Sequence, residues 1–178
     1  MRIAFVDLSL RSLDALSADS MALFVNQRER PLQGLAGLCD WRLCGQLSRV
    51  LQTGFFEGKG GEALLMPIGR RLGVVRLLAF GVGEGGAVTE EQVMRAFLAI
   101  GKAGARSLAL SIDGLGETPE QAAAVWMRAS RAAGLQRQVL VTANRGLPRV
   151  VRAMAAQDPS FQFEGEPPPA GLQGQRLG

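Results

Sequence analysis

The sequence of 178 residues contains no histidine and no tyrosine, and it has only two lysines, Lys59 and Lys102. Histidine is the most frequent general base and the most frequent transition-metal ligand in proteins. Tyrosine supplies the phenol nucleophile. These absences remove the side chains on which many catalytic and metal-binding sites depend.

Cysteine is scarce as well, with Cys39 and Cys44 only. The spacing predicts that both lie in one helix, five positions apart, on different faces. A disulfide between them is therefore not expected. We interpret both as buried, small apolar groups in a reducing compartment.

Long apolar runs are also missing. No stretch of 18 apolar residues is free of charge, so no membrane span is expected. Asp7 comes too early for the apolar region of a signal peptide. With 47% hydrophobic and 20% charged residues, the chain has the composition of one globular domain. We expect a cytoplasmic protein without a membrane partner.

Strand-like and helix-like patterns alternate along the chain. Strands are predicted at 2–8, 20–25, 62–67, 74–80, 107–112 and 138–142. The last three are separated by helical patterns. This order predicts an α/β fold with a sheet of about six strands, parallel in its second half, and four helices that cover both faces.

The helices have identifiable starts and ends. Apolar residues every four positions from Leu35 to Leu51 predict one amphipathic helix that stops at Gly54. Thr89 and Thr118 each precede a glutamine by three positions, which predicts two capping boxes. A last helix is predicted over 147–156. Residues 1–157 thus form one domain, and the Pro- and Gly-rich tail 158–178 is expected to be disordered.

One run carries a family resemblance. Phe56-Glu57-Gly58-Lys59-Gly60-Gly61-Glu62 lies between a helical pattern and an apolar strand. Together with its surroundings, this run resembles the N-terminal domain of the M17 (leucyl) aminopeptidases. The resemblance covers roughly residues 1–157, more loosely through residues 103–106. The matching residues are 43–51, Phe56, Gly58, Lys59, Gly61, Glu62, Leu64, Leu65, Pro67, Gly69, Arg76, Gly81 and Gly83.

The resemblance implies a macro-domain-like, three-layer α/β/α fold. In the family this domain packs against the catalytic domain, contributes to hexamer assembly and, in some members, contacts DNA. The chemistry belongs to a C-terminal domain with two metal ions and an Asn-Thr-Asp-Ala-Glu-Gly-Arg-Leu motif, which nothing in this chain matches. The chain is then either a stand-alone relative or a fragment, and the terminal tail favours a stand-alone relative. We expect it to be non-catalytic, not an enzyme, with no catalytic residues, no metal site and no cofactor.

A glycine motif offers an alternative. Gly81, Gly83 and Gly86 match G-x-G-x-x-G between a strand and a helix, and Asp113 closes the next strand. However, the helix begins only after Thr89, and Glu84 in the loop would repel phosphate. A flexible strand-to-helix connection is the favoured interpretation, and phosphate or nucleotide binding by loop amides is the alternative. Lys59 is interpreted as an exposed lysine in a tight turn.

Positive charge is concentrated near the C-terminus. Residues 121–157 contain six arginines and no acid, and these arginines are interaction candidates. They belong to a solvated face, to a surface for an acidic partner, or to a phosphate-backbone site. They are Arg128, Arg131, Arg137, Arg145, Arg149 and Arg152.

The function predicted from the sequence is a non-catalytic binding or assembly domain. It would act through protein–protein association, either as a homo-oligomer or with another subunit such as a full-length aminopeptidase. One alternative is a basic nucleic-acid-binding module that uses the 128–152 segment. Another is a macro-like domain that binds a nucleotide or ADP-ribose.

Overall fold

The computed structural model describes residues 1–69, 71–85 and 87–165. Six helices and seven strands occur in these residues. In chain order they are β1 (Arg2–Asp7), α1 (Leu10–Asp14), β2 (Ser20–Asn26), α2 (Gly34–Arg42), α3 (Gln46–Gln52), β3 (Ala63–Pro67), β4 (Arg76–Gly83), α4 (Glu90–Lys102), β5 (Ser107–Leu110), α5 (Pro119–Ala132), β6 (Arg137–Thr142), α6 (Leu147–Ala155) and β7 (Gln162–Phe163).

The strands form one mixed sheet in the order β3-β4-β2-β5-β6-β1-β7. Only β3 runs antiparallel to its neighbour, and the other strand pairs are parallel. Side chains alternate between the two faces, and each face has its own apolar core. Helices α1, α2 and α3 supply one core, whereas α4, α5 and α6 supply the other. The predicted three-layer α/β/α fold is confirmed.

Both predicted capping boxes are present. The hydroxyl of Thr89 accepts from the Gln92 amide at 3.3 Å, and the Gln92 side chain accepts from the Thr89 amide at 2.9 Å. Thr118 and Gln121 make the same reciprocal pair at the start of α5. Caps of this kind stabilise a helix by about 1 kcal/mol.

The predicted single helix between Leu35 and Gly54 is wrong, because α2 and α3 are separate helices. Cys44 and Gly45 between them have φ values of 55° and 73°, a left-handed conformation that stops α2. The buried side chains continue across the break at the same spacing, which explains the misleading pattern. Cys39 is buried as expected, but Cys44 is exposed, so the prediction for Cys44 is also wrong.

The sequence pattern did not predict α1 or β7. Residues 158–165, here called the C-terminal segment, pass along the edge of the sheet, where β7 pairs with β1. Phe161 is buried, and its ring centroid lies 5.3 Å from that of Trp126. The folded chain therefore extends past the predicted boundary at 157. The remainder of the predicted tail, 166–178, lies outside the described residues.

Candidate functional site

A cleft of about 260 Å³ opens at the carboxyl ends of β2, β4 and β5. The connection after β2 leads to α2 on one face of the sheet, whereas the connection after β5 leads to α5 on the other face. Neighbouring parallel strands whose connections diverge leave a crevice in which α/β proteins usually bind ligands. Its polar lining comes from Asn26, Glu29, Gln33, Ser111 and Asp113.

The first turn of α2 lines this cleft through Gln33, Gly34, Leu35 and Ala36. Gln33 occupies the N-cap position but makes no side-chain capping hydrogen bond. The first backbone N–H groups of a helix have no partner within the helix, and they attract negative charge. This end of the cleft therefore suits an anionic or strongly polar group. The sequence pattern did not predict this polar end of the cleft, although the glycines at 34 and 37 after a proline were an available signal.

Asp113, which follows the strand after the glycine motif, lies at the other side of the cleft. Its carboxylate accepts from the Thr142 hydroxyl at 2.6 Å and from the Ala143 amide at 2.9 Å. These bonds join the end of β5 to the end of β6. The carboxylate is thus engaged within the protein, and its negative charge with that of Glu29 opposes a phosphate group in the cleft.

The glycine motif serves close packing between loops. A Cβ atom on Gly81 would lie 2.0 Å from the carbonyl oxygen of Lys59. The Gly81 amide donates to the Glu62 carbonyl at 2.9 Å, and the Gly83 amide donates to the Gly58 carbonyl at 2.8 Å. These two amides are already bonded and do not face a ligand. Gly86, the third candidate, lies outside the described residues.

The carboxylate of Glu62 binds the backbone of the Gly-rich run that precedes it. Its Oε2 atom accepts from three successive backbone amides, those of Glu57, Gly58 and Lys59, at 2.9, 2.9 and 3.0 Å. Desolvation raises the pKa of Glu62, but the three amides and the Lys59 charge outweigh it and lower that pKa below the usual value. The run thus forms an anion nest that is filled by the chain's own side chain.

The interaction candidates Arg128, Arg131 and Arg137 form ion pairs within the fold. Arg128 donates two hydrogen bonds to Glu90 at 2.5 and 2.8 Å. Arg137 donates two to Glu164 at 2.6 and 2.9 Å, and Arg131 pairs with Asp158. Two of the three pairs fasten the C-terminal segment to the domain.

The remaining three arginines lie on α6 or just before it. The Arg152 guanidinium lies 5.0 Å from the Phe5 ring centroid and 5.8 Å from that of Phe163. Arg145 and Arg149 are exposed. Arg145 lines a second, wider cleft of about 740 Å³ at the ends of β1 and β6. The six arginines therefore do not form one continuous surface of unpaired positive charge.

Two further features bear on function. Within the described ranges, no three acidic or cysteine side chains come close enough together to hold a metal ion. In the same residues, no helix is long and apolar enough to cross a bilayer.

The mixed sheet, the three helices on each face and the crevice define a macrodomain-like α/β protein. The Trypanosoma brucei macrodomain in complex with ADP-ribose has a TM-score of 0.65 and 16% identity, over 86% of this chain and 68% of that one. A mutant of tomato leucine aminopeptidase has a TM-score of 0.60 and 17% identity, over 85% of this chain and 35% of that one. At these identities, the likenesses show the fold alone.

The family follows from the sequence comparison. Residues 22–139 match the model of the cytosol aminopeptidase family, N-terminal domain, and the chain belongs to that family. The probable cytosol aminopeptidase of Pseudomonas syringae pv. tomato is 30% identical over 105 residues. The match covers 59% of this chain and 19% of that relative, so the chain spans about a fifth of the relative's length. The predicted resemblance is confirmed.

Proposed function

We propose that the chain is a non-catalytic binding and assembly domain that associates with a second copy of itself or with an aminopeptidase subunit. The observation that carries this proposal is a group of exposed apolar side chains between α2 and β4. Phe55 is 80% exposed, Val75 69%, Trp41 63% and Leu65 56%. We call these four residues the 41–75 residues, and they are separate contact candidates because Leu65 faces the side of the sheet opposite to α2.

Among the large apolar side chains of the described residues, these four are the most exposed, ahead of Leu98 at 46% and Met154 at 40%. Single exposed apolar residues are ordinary on protein surfaces, so each of the four is a separate contact candidate. Tryptophan and phenylalanine are enriched at the centres of protein interfaces, which supports association.

The arrangement of the polar groups supports a non-catalytic role. Asp113 and Glu62 are held by backbone and hydroxyl donors of the fold, so their oxygens are engaged within the protein. We also infer a cytoplasmic location, because the P. syringae relative is described as a cytosol aminopeptidase.

Sedimentation velocity tests the proposal. The chain is run alone over a range of concentrations and then mixed with a leucyl aminopeptidase. We expect species heavier than the 18.9 kDa monomer in at least one series. A monomer in both series contradicts the proposal. Hydrolysis of a leucine anilide by the purified chain with added manganese or zinc contradicts its non-catalytic part.

A second candidate function is the binding of a phosphate-bearing ligand such as a nucleotide or ADP-ribose in the cleft. The observation that favours it is the uncapped first turn of α2 along the cleft wall. The carboxylates of Glu29 and Asp113 oppose it. The volume of about 260 Å³ also lies below the usual range for ligand pockets.

Thermal unfolding with and without nucleotides and ADP-ribose tests this candidate. The matched variant is Gln33→Glu, which places a carboxylate at an exposed position of the cleft without changing the core. Bound phosphate predicts a higher Tm for the wild type with ligand and a loss of that increase in Gln33→Glu. No increase with any of these ligands, or an equal increase in the variant, contradicts it.

A further inference from the structure

The β3 edge of the sheet is open, and its backbone shows which groups face outwards. Towards β4, the Glu62 carbonyl accepts from the Gly81 amide at 2.9 Å, and the Ile68 amide donates to the Val75 carbonyl at 3.4 Å. In an antiparallel pair of strands, alternate residues form backbone hydrogen bonds to the neighbouring strand. The backbone groups of Leu64 and Met66 therefore also face β4. The backbone groups of Ala63 and Leu65 therefore point away from the sheet.

No strand of the described residues pairs with that outer side. The sheet order ends at β3, and no backbone bond outside the β3–β4 ladder involves Ala63 or Leu65 within the described ranges. Proteins usually protect such an edge with charged side chains, a bulge or a covering element. The sequence of β3 is Ala-Leu-Leu-Met-Pro, which carries no charge and ends in a single proline.

The side chains add an apolar strip to this edge. Met66 is buried in the core shared with α2 and α3, and Leu64 packs against the same core. The alternate residues, Ala63, Leu65 and Pro67, face the opposite side of the sheet and are exposed. Leu65 lies opposite Leu78, which is buried, so the apolar surface continues from the core out to the edge.

We propose that β3 pairs with β3 of a second copy in antiparallel orientation, about a two-fold axis. This inference rests on the association proposed above and names its surface. In one register, Ala63 of each copy lies opposite Leu65 of the other, and about four hydrogen bonds form between outward-facing groups.

A second copy is the occupant that the charges and symmetry favour. In this register only Leu64 meets its own counterpart, at the axis, and the other residues of each β3 meet uncharged residues of the same strand, so β3 brings no like charges together. The opposite edge of the sheet is β7, whose two residues offer too little backbone to be the pairing strand. A five-residue edge buries little area, so the dimer is expected to be weak, with a Kd of roughly micromolar order.

The test uses Leu65→Pro, because proline removes the outward N–H without breaking a bond to β4. Leu65→Lys is the second variant, since it keeps the N–H but places one positive charge on each side of the axis, diagonally across the paired strands. Leu98→Lys is the matched control, because Leu98 is an exposed leucine on α4, away from β3. Circular dichroism and thermal unfolding first establish that each variant is folded.

Sedimentation velocity over a concentration series then gives the dimer Kd. We expect Leu65→Pro and Leu65→Lys to weaken dimerisation about tenfold to a hundredfold. The proline variant loses two interface hydrogen bonds, and the lysine variant brings two positive charges close together. We expect Leu98→Lys to match the wild type. If the wild type dimerises and the two Leu65 variants dimerise equally well, this inference is overturned while the proposed assembly function stands. A wild type that stays monomeric overturns the inference, and the proposed function then depends on the aminopeptidase series.

Discussion

Replacing Gly81 by alanine tests whether the glycine motif is structural. The added Cβ would lie 2.0 Å from the Lys59 carbonyl oxygen and 2.6 Å from the Gly58 carbonyl carbon. Ordinary contact begins at 3.4 Å, so the loop must retreat by about 1.4 Å. Both contacts are backbone atoms, and no side-chain rotation relieves them.

The retreat also breaks nearby hydrogen bonds. The Gly83 amide bonds to the Gly58 carbonyl, and the Gly81 amide bonds to the Glu62 carbonyl. Overpacking costs about 1–3 kcal/mol, and each weakened hydrogen bond costs about 1 kcal/mol. We expect Gly81→Ala to lower the free energy of unfolding by about 2–4 kcal/mol, which lowers the Tm of a chain of this size by roughly 5–15 °C.

Urea and thermal unfolding measure this loss, and Gly85→Ala, just after the end of β4, is the control. A Cβ at Gly85 has no atom within 4 Å, and Gly85 is not among the glycines with positive φ. It should unfold within about 0.5 kcal/mol of the wild type. If Gly81→Ala is as stable as Gly85→Ala, the packing argument fails. If Gly81→Ala is equally stable but loses binding of a nucleotide, the glycine motif is a ligand-binding loop.

Three further predictions follow from particular side chains. In the folded chain a thiol reagent should modify Cys44 rapidly and Cys39 only on unfolding, because burial raises the pKa of the Cys39 thiol to about 12; equal rates contradict this. Although desolvation raises the pKa of Glu62, the three amide hydrogen bonds outweigh it and lower that pKa. Glu62→Gln should therefore be less stable than the wild type by about 1 kcal/mol above pH 4.5, and by less at lower pH, where the carboxylate is protonated. A stability difference that does not change with pH is the contrary result. The Ser160 hydroxyl and the paired arginine lower the pKa of Asp158 to about 2, so the contribution of Asp158 to attachment of the C-terminal segment is complete above pH 3.8 and is lost as the pH falls through about 2. Hydrogen exchange should show the segment losing protection relative to the sheet across that range, and Asp158→Asn should lower its protection already at neutral pH.

Local signals were the predictable part of the fold. Each capping box depends on residues three positions apart, so Thr89 and Thr118 mark their helices in the sequence itself. Strand patterns likewise identified six of the strands. The macrodomain-like arrangement came from the resemblance rather than from the periodicity.

Non-local interactions account for what the sequence did not show. The break at Cys44 and Gly45 preserves the apolar spacing of one helix, so its pattern does not reveal it. The two residues of β7 have no strand pattern of their own, and the C-terminal segment is held by pairs such as Arg137 with Glu164, which are 27 positions apart. A segment held by distant partners cannot be inferred from its own composition.

The candidate site also has a part that the sequence indicated and a part that only the fold reveals. The sequence pointed to Gly81 and Gly83, but their role depends on the loop at Gly58, which approaches them only in the folded sheet. The polar cleft instead forms where the connections after β2 and β5 diverge. That divergence is a property of strand order, which the residue pattern does not state.

We propose that this chain acts through association, with β3 as its pairing strand. Hydrogen exchange of the whole chain at low and high protein concentration tests it most directly. The account predicts that the amides of Ala63 and Leu65 exchange fast in dilute solution and several-fold more slowly in concentrated solution, while those of the cleft do not change. Equal exchange of these two amides at both concentrations would contradict it.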